Sequence, residues 1–134
     1  MIGKMEFRVI VSFLLFVQIM WYFFPWDFAY RNGVDEALQW QGAGAFVPEH
    51  VAMVAGGVLL VLYMVAYIGV LLFKGWARKF LVLLAVLEGV SALGYGITIQ
   101  SGYESMLGYF IVLGNGFVIA VSYFSNIREY FEYR

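Results

Sequence analysis

Cysteine is absent from the 134 residues, which excludes disulfides, thiolate nucleophiles and cysteine-ligated metals together. The single histidine, His50, rules out a multi-histidine zinc site or a bis-histidine haem built within the chain. Charge is scarce as well. Asp, Glu, Lys and Arg make up 13% of the residues, about half of the roughly 25% usual in soluble domains. The net charge of −1 leaves bulk nucleic-acid binding without an electrostatic basis. Period-two alternation is missing, which argues against a membrane β-barrel. No internal repeat stands out, so an inverted-repeat transporter has no support in the sequence.

What fills the chain is apolar: 63% of residues are hydrophobic. They gather in four runs, at about 9–26, 51–73, 80–99 and 106–125. A helix needs about 20 residues to cross the hydrocarbon core of a bilayer. The expected fold is therefore an all-α membrane protein: one domain over 1–134, with four transmembrane helices in an antiparallel bundle and a long outer loop at 27–50. The first run begins like a signal peptide, with Lys4 and Arg8 before an apolar segment. It ends, however, in the bulky Trp21-Tyr22-Phe23-Phe24-Pro25-Trp26, and the nearest A-x-A, Ala43-Gly44-Ala45, lies far beyond a cleavage distance. It reads as an uncleaved span.

Basic residues set the orientation. Lys4, Arg8, Lys74, Arg78, Lys79, Arg128 and Arg134 fall on one side of an alternating topology, and only Arg31 falls on the other. The positive-inside rule then places both termini and the 74–79 connection in the cytoplasm. Residues 74–79 and 100–104 read as tight turns, Asn32-Gly33 as a turn, 35–40 as a short interfacial helix, and 126–134 as a helical continuation of the fourth span. Pro48 suits the first turn of the second helix. Trp21, Tyr22, Trp26, Tyr30 and Trp40 mark the outer interface, and Trp76, Tyr123, Tyr130 and Tyr133 the inner one, as aromatic belts do.

One carboxylate interrupts this pattern. Glu88 lies near the middle of the third run, where a charge costs about 2.5–3.5 kcal/mol on insertion scales. Counting from the flanking charges puts Gln18 of the first run, Ser91 of the third and Asn115 of the fourth near the same depth. Gln18, Glu88, Ser91 and Asn115 are thus candidate ligand- or ion-binding residues, because neutral oxygens around one carboxylate can hold a proton or a cation. Gly108, Asn115 and Ser122 repeat at a spacing of seven, a small-and-polar stripe that lets helices approach closely. Gly89, Gly94, Gly108 and Ser122 are the expected helix-packing positions. Glu49-His50 is a weaker candidate, since neighbours on a helix diverge by about 100°.

Nothing resembles a nucleophile–base constellation. The expectation is a small non-enzymatic membrane protein of a bacterial-type inner membrane, with no catalytic residue, cofactor or metal. Its partners would be the lipid bilayer and either further copies of itself or a larger membrane complex. The alternative is an oligomeric ion channel or proton-coupled small-solute transporter that uses Glu88.

Overall fold

The structure is a computed structural model that describes residues 2–25 and 39–132. It is all-helical, with no strand among the described residues. The helices are α1 (Lys4–Phe23), α2 (Glu49–Leu71), α3 (Gly75–Ala92), α4 (Gly102–Phe124) and the short α5 (Arg128–Glu132). Three of them, α1, α2 and α4, are long and apolar enough to cross a membrane. The α3 helix has 18 residues and carries Arg78, Lys79 and Glu88. Its length of about 27 Å nevertheless approaches the hydrocarbon thickness. The expected turn at Asn32-Gly33 and most of the expected interfacial helix lie outside the described residues.

The four long helices run up and down, each packed against its sequence neighbour, with α1 also against α4. Charged residues do not end these helices; they continue them. Lys4 and Arg8 belong to α1, Arg78 and Lys79 to α3, and Glu104 to α4, as long side chains that bury their stems and hold their heads toward water can do. The helices therefore start before the apolar runs. They also stop earlier: α1 ends at Phe23, just before Pro25, and α3 at Ala92, just before Gly94.

The two ends of the bundle differ. At the end carrying Lys4, Arg8, Lys74 and Arg78, the core is closed by Phe7, Val11, Tyr67, Val70, Phe73, Ala77, Leu81, Ile127 and Phe131, all buried. At the other end, which carries Glu49 and Glu104, the first half of α2 has no buried residue. Cavities open between the helices there. Between the ends, α1 meets α4 at Gly114, where an added Cβ would collide with the side chain of Leu14.

The α2–α3 turn is made by Phe73, not by Gly75, which is already helical. Phe73 takes a left-handed conformation (φ 55°). Its N–H bonds the Val70 carbonyl and the Lys74 N–H bonds the Gly69 carbonyl, at 3.0 and 2.9 Å. That is the Schellman pattern, usually completed by glycine. Phenylalanine is tolerated because its ring is buried against Phe7 and Phe131, with centroids 5.9 and 5.3 Å away. Lys4 and Arg8 sit over the same ring at 5.3 and 5.2 Å.

Helix α4 does not continue into the C-terminal segment. It ends at Phe124, the chain breaks at Ser125, and α5 follows after Ile127. Ser125 Oγ accepts from Ile127 N at 3.1 Å and Asn126 donates to the Ile2 carbonyl at 3.0 Å. Ile127 and Phe131 are thereby buried against the basic end. Arg78 binds the pieces together: it donates to the Ser122 carbonyl at 3.1 Å, meets Glu132 at 3.5 Å, and lies 4.7 Å over the Tyr123 ring.

The hydrogen bond from Arg128, 2.6 Å long, holds the Glu132 carboxyl below its ordinary value of 4.5. A group whose pKa is lowered on folding stabilises the fold above its unfolded value, and that contribution fades as pH falls through the folded value. Proteolysis of the 125–132 segment should therefore be unchanged between pH 8 and pH 5 and should rise below about pH 4.5. A Glu132→Gln variant should lose that step, and a protease profile with the same step in both proteins would contradict the assignment.

The acidic end is closed differently. The connection after α3 is not a tight turn but spans residues 93–101, and residues 41–47 dock on it. Gly42 N donates to Ile97 O, Ile97 N to Ala43 O, and Phe46 N to Gly94 O, at 2.8, 2.9 and 3.0 Å. Gln41 Oε1 accepts from Ile99 N at 2.7 Å. The α4 start is fixed by a capping box: Ser101 Oγ accepts from Glu104 N at 3.2 Å, and Glu104 Oε2 accepts from Ser101 N at 2.7 Å. Gly96 has φ +68° and would place a Cβ 2.5 Å from Ala43 O. A Gly96→Val substitution should undock the loop. In an otherwise cysteine-free chain, an Ala45→Cys reporter should react with a water-soluble maleimide at least about fivefold faster in that background, the equivalent of the lower end of the 1–3 kcal/mol such strain costs. An unchanged rate would show that the loop is held by something else.

Candidate functional site

Period 3.6 puts Tyr63 and Tyr67 on one face of α2, one turn apart. Both are buried, with ring centroids 6.2 Å apart. Each reaches a different helix. The Tyr63 hydroxyl donates to Glu88 Oε2 of α3 at 2.6 Å, and the Tyr67 hydroxyl donates to Asn115 Oδ1 of α4 at 2.5 Å. The carboxylate at mid-span is thus met by a hydroxyl from the one long helix on which the sequence offers no amide or acid at that depth.

The four candidate residues divide. Gln18 and Glu88 line the same two cavities, one of about 390 Å³ and one of about 130 Å³. Asn115 is buried and bonded to Tyr67. Ser91 lines the smaller cavity, but its hydroxyl donates back to the Glu88 main-chain carbonyl at 2.8 Å. The carboxylate therefore has Gln18 as its cavity neighbour and Tyr63 as its bonded partner.

The cavities form a series. The larger of the two runs between α3 and α4, with Trp21 and Tyr95 on its wall and Gln100 at its rim. Those three residues also line an outer cavity of about 650 Å³, which reaches Glu49 and Pro48 at the acidic end. Trp21, Gln18 and Tyr95 are shared again with the small cavity beside Tyr63. The helices leave this space because α3 and α4 contact each other least among the adjacent long helices. Trp21 holds it open as a strut: its indole N–H donates to the Glu104 carbonyl at 3.1 Å.

Gln18 carries the most informative signal. The residue is 6% exposed, and its Oε1 is buried with no hydrogen-bond partner among the described residues. A buried carbonyl left unpaired costs about 1–3 kcal/mol. The atom has no accessible surface, so it does not itself open into either cavity.

The packing positions also divide. Ser122 is buried, with its hydroxyl on the Ile119 carbonyl at 2.8 Å. Gly108 lies beside Trp21 in the cavity wall. The stripe of Gly108, Asn115 and Ser122 thus faces into the bundle. Gly94 accepts from the docked loop at Phe46, while Gly89 is exposed, with nothing within 4 Å of an added Cβ. Glu49 and His50 are exposed. Among the described residues no group of three or more His, Cys, Asp or Glu side chains could hold a metal ion.

Sequence reasoning missed Tyr63 and Tyr67. The i, i+4 tyrosine pair at the centre of the second run was the available signal, because a phenol in hydrocarbon needs an acceptor. The Tyr67–Asn115 bond can be weighed directly. A double-mutant cycle of Tyr67→Phe and Asn115→Leu, read by thermal unfolding in detergent, should give a coupling of about 0.6–1.7 kcal/mol. A coupling near zero would mean that the bond holds nothing together.

Comparison with protein-family models, with curated proteins and with solved structures gives no match to this chain.

Proposed function

We propose that the chain is a non-enzymatic four-span protein of a bacterial-type inner membrane that takes up a small solute or proton at Glu88 from the outer side. The observation that carries this reading is the series of cavities that leads from Glu49 to Glu88 and Gln18 while the opposite end is packed shut. The polar rim of the outer cavity, Gln41, Glu49 and Gln100, gives water an entry from the acidic end. A carboxylate at that depth is a functional residue by default.

The topology follows from the same asymmetry. Lys4, Arg8, Lys74, Arg78, Lys79 and Arg128 all lie at one end of the bundle, which the positive-inside rule assigns to the cytoplasm. Helix α3 counts as the fourth span. Its Arg78 and Lys79 sit at the cytoplasmic interface, and its Glu88 is turned toward Tyr63 and the cavities rather than toward lipid.

A second reading, a membrane-embedded subunit that self-associates or docks on a larger complex, draws support from the surface. Gly116 of α4 and Gly89 of α3 are exposed with open space around them, so another helix can approach closely there. With the stripe of Gly108, Asn115 and Ser122 used inside the bundle, these two glycines are where such a contact would form.

Carboxyl chemistry tests the first reading. A water-soluble carbodiimide with glycine ethyl ester, added outside intact spheroplasts, should modify Glu88 as well as the exposed Glu49, while Glu129 and Glu132 stay untouched. Peptide mass spectrometry reads all four positions. Glu49 modified with Glu88 intact would remove the outward-facing site; Glu129 modified from outside would reverse the topology.

A further inference from the structure

We propose that residues 41–47 form a lid over the outer cavity, and that its undocking from the connection at 93–101 opens the way to Glu88. This rests on the reading of Glu88 as a site reached from the outer side.

The segment is a wall of that cavity. Gln41, Gly42, Ala45, Phe46 and Val47 line the space of about 650 Å³, together with Tyr95, Thr98 and Gln100 of the connection. Trp21 and Tyr95 are shared with both cavities that Glu88 lines. Moving the segment away therefore widens the mouth of the whole series.

Its attachment is of the kind that opens locally. Gly42 N, Phe46 N and Val47 N donate to carbonyls of the connection, and Ile97 N and Ile99 N donate back to Ala43 O and Gln41 Oε1. Apolar burial adds little: no residue of the segment is buried, and Phe46, its one aromatic side chain, is 89% exposed. The return at the basic end is the opposite case, because Ile127 and Phe131 are buried there. Segments held by exposed hydrogen bonds and few apolar contacts open first, and lids are drawn from them. Gly42 and Gly44 have φ of 75° and 74°, with nothing within 4 Å of a Cβ at either. Glycine populates both signs of φ, so the segment can change shape at these points without a steric penalty. Pro48, whose ring fixes its φ, joins the lid to α2 and keeps it tethered.

The test locks the lid. A Cβ added at Gly94 would lie 3.1 Å from Val47 Cγ2, so Val47→Cys and Gly94→Cys stand within reach of a disulfide. The full chain with both substitutions is oxidised in phosphatidylcholine nanodiscs, and half of it is then reduced with dithiothreitol and desalted. Both halves receive the water-soluble carbodiimide with glycine ethyl ester, and peptide mass spectrometry follows Glu88 and Glu49. Glu88 should react at least about fivefold more slowly in the oxidised protein, because a reaction that needs the open form follows its population. Reduction should restore the rate, which also shows that the variant folds. The exposed Glu49 should stay within about twofold throughout. Gly96→Val should speed Glu88 by the same factor as it speeds labelling of the Ala45→Cys reporter. Equal Glu88 rates in the oxidised and reduced proteins overturn the lid and leave the site reading intact. So does an unchanged Glu88 rate in Gly96→Val while the reporter accelerates. A disulfide that does not form overturns the docked position on which the lid depends. If Glu88 resists the reagent in every one of these proteins, the site reading falls and the lid falls with it.

Discussion

Helices already in hydrocarbon gain nothing from hiding apolar surface, so what holds them together is close approach and hydrogen bonding across the bundle. Here that role falls to one face of α2. Tyr63 and Tyr67, one turn apart, reach out to α3 and α4 respectively. A single helix thereby sets the spacing of two others at mid-depth. The same two bonds neutralise the polar burden of the span, because Glu88 and Asn115 each receive a donor that lipid cannot provide. Below this layer the bundle packs solidly. Above it, cavities open between the helices.

The connections at that end are not left as loose backbone. Irregular chain at membrane depth is tolerated only where it is buried or lines a cavity. Residues 93–101 are irregular, and their peptide groups are met by residues 41–47 and by the capping box at Ser101. Gly96 is the point of closest approach, which explains a glycine where a helical span would tolerate almost any apolar residue. At the opposite end the same requirement is met by folding back. The break at Ser125 turns Ile127 and Phe131 onto Phe7 and Phe73, and Lys4, Arg8 and Arg78 are held over aromatic rings.

Much of this was legible from the sequence in outline. Apolar runs between charges gave the number, order and antiparallel sense of the long helices, and depth counting brought Gln18 and Glu88 to one level. The details that failed share a cause: they depend on tertiary partners. Charges were read as helix boundaries, yet Arg78 is helical because Ser122, Tyr123 and Glu132 surround it. Gly75 was read as part of the turn, yet Phe73 makes it, since a buried ring outweighs the cost of a left-handed phenylalanine. Residues 126–134 keep helical spacing, which cannot reveal the break at Ser125 that folds Phe131 inward. Asn115 was placed at the right depth but assigned to Glu88, and only its contact with Tyr67 separates the two. The Ser101–Glu104 capping box, by contrast, was readable from its spacing alone and went unused.

The one-sided cavity bears on how the carboxylate can work. Glu88 is bonded by Tyr63 on one oxygen and lines the cavities. Passage through to the other side is a separate event. It requires Phe7, Phe73 and Phe131 to part, and these rings are fully packed and bridged by cations. A pore lined by a ring of Glu88 residues would avoid that barrier only by placing the carboxylate on the outside of the bundle, but it faces inward, toward Tyr63 and Gln18. The geometry therefore favours a site that loads and unloads from one face over a path that conducts through both.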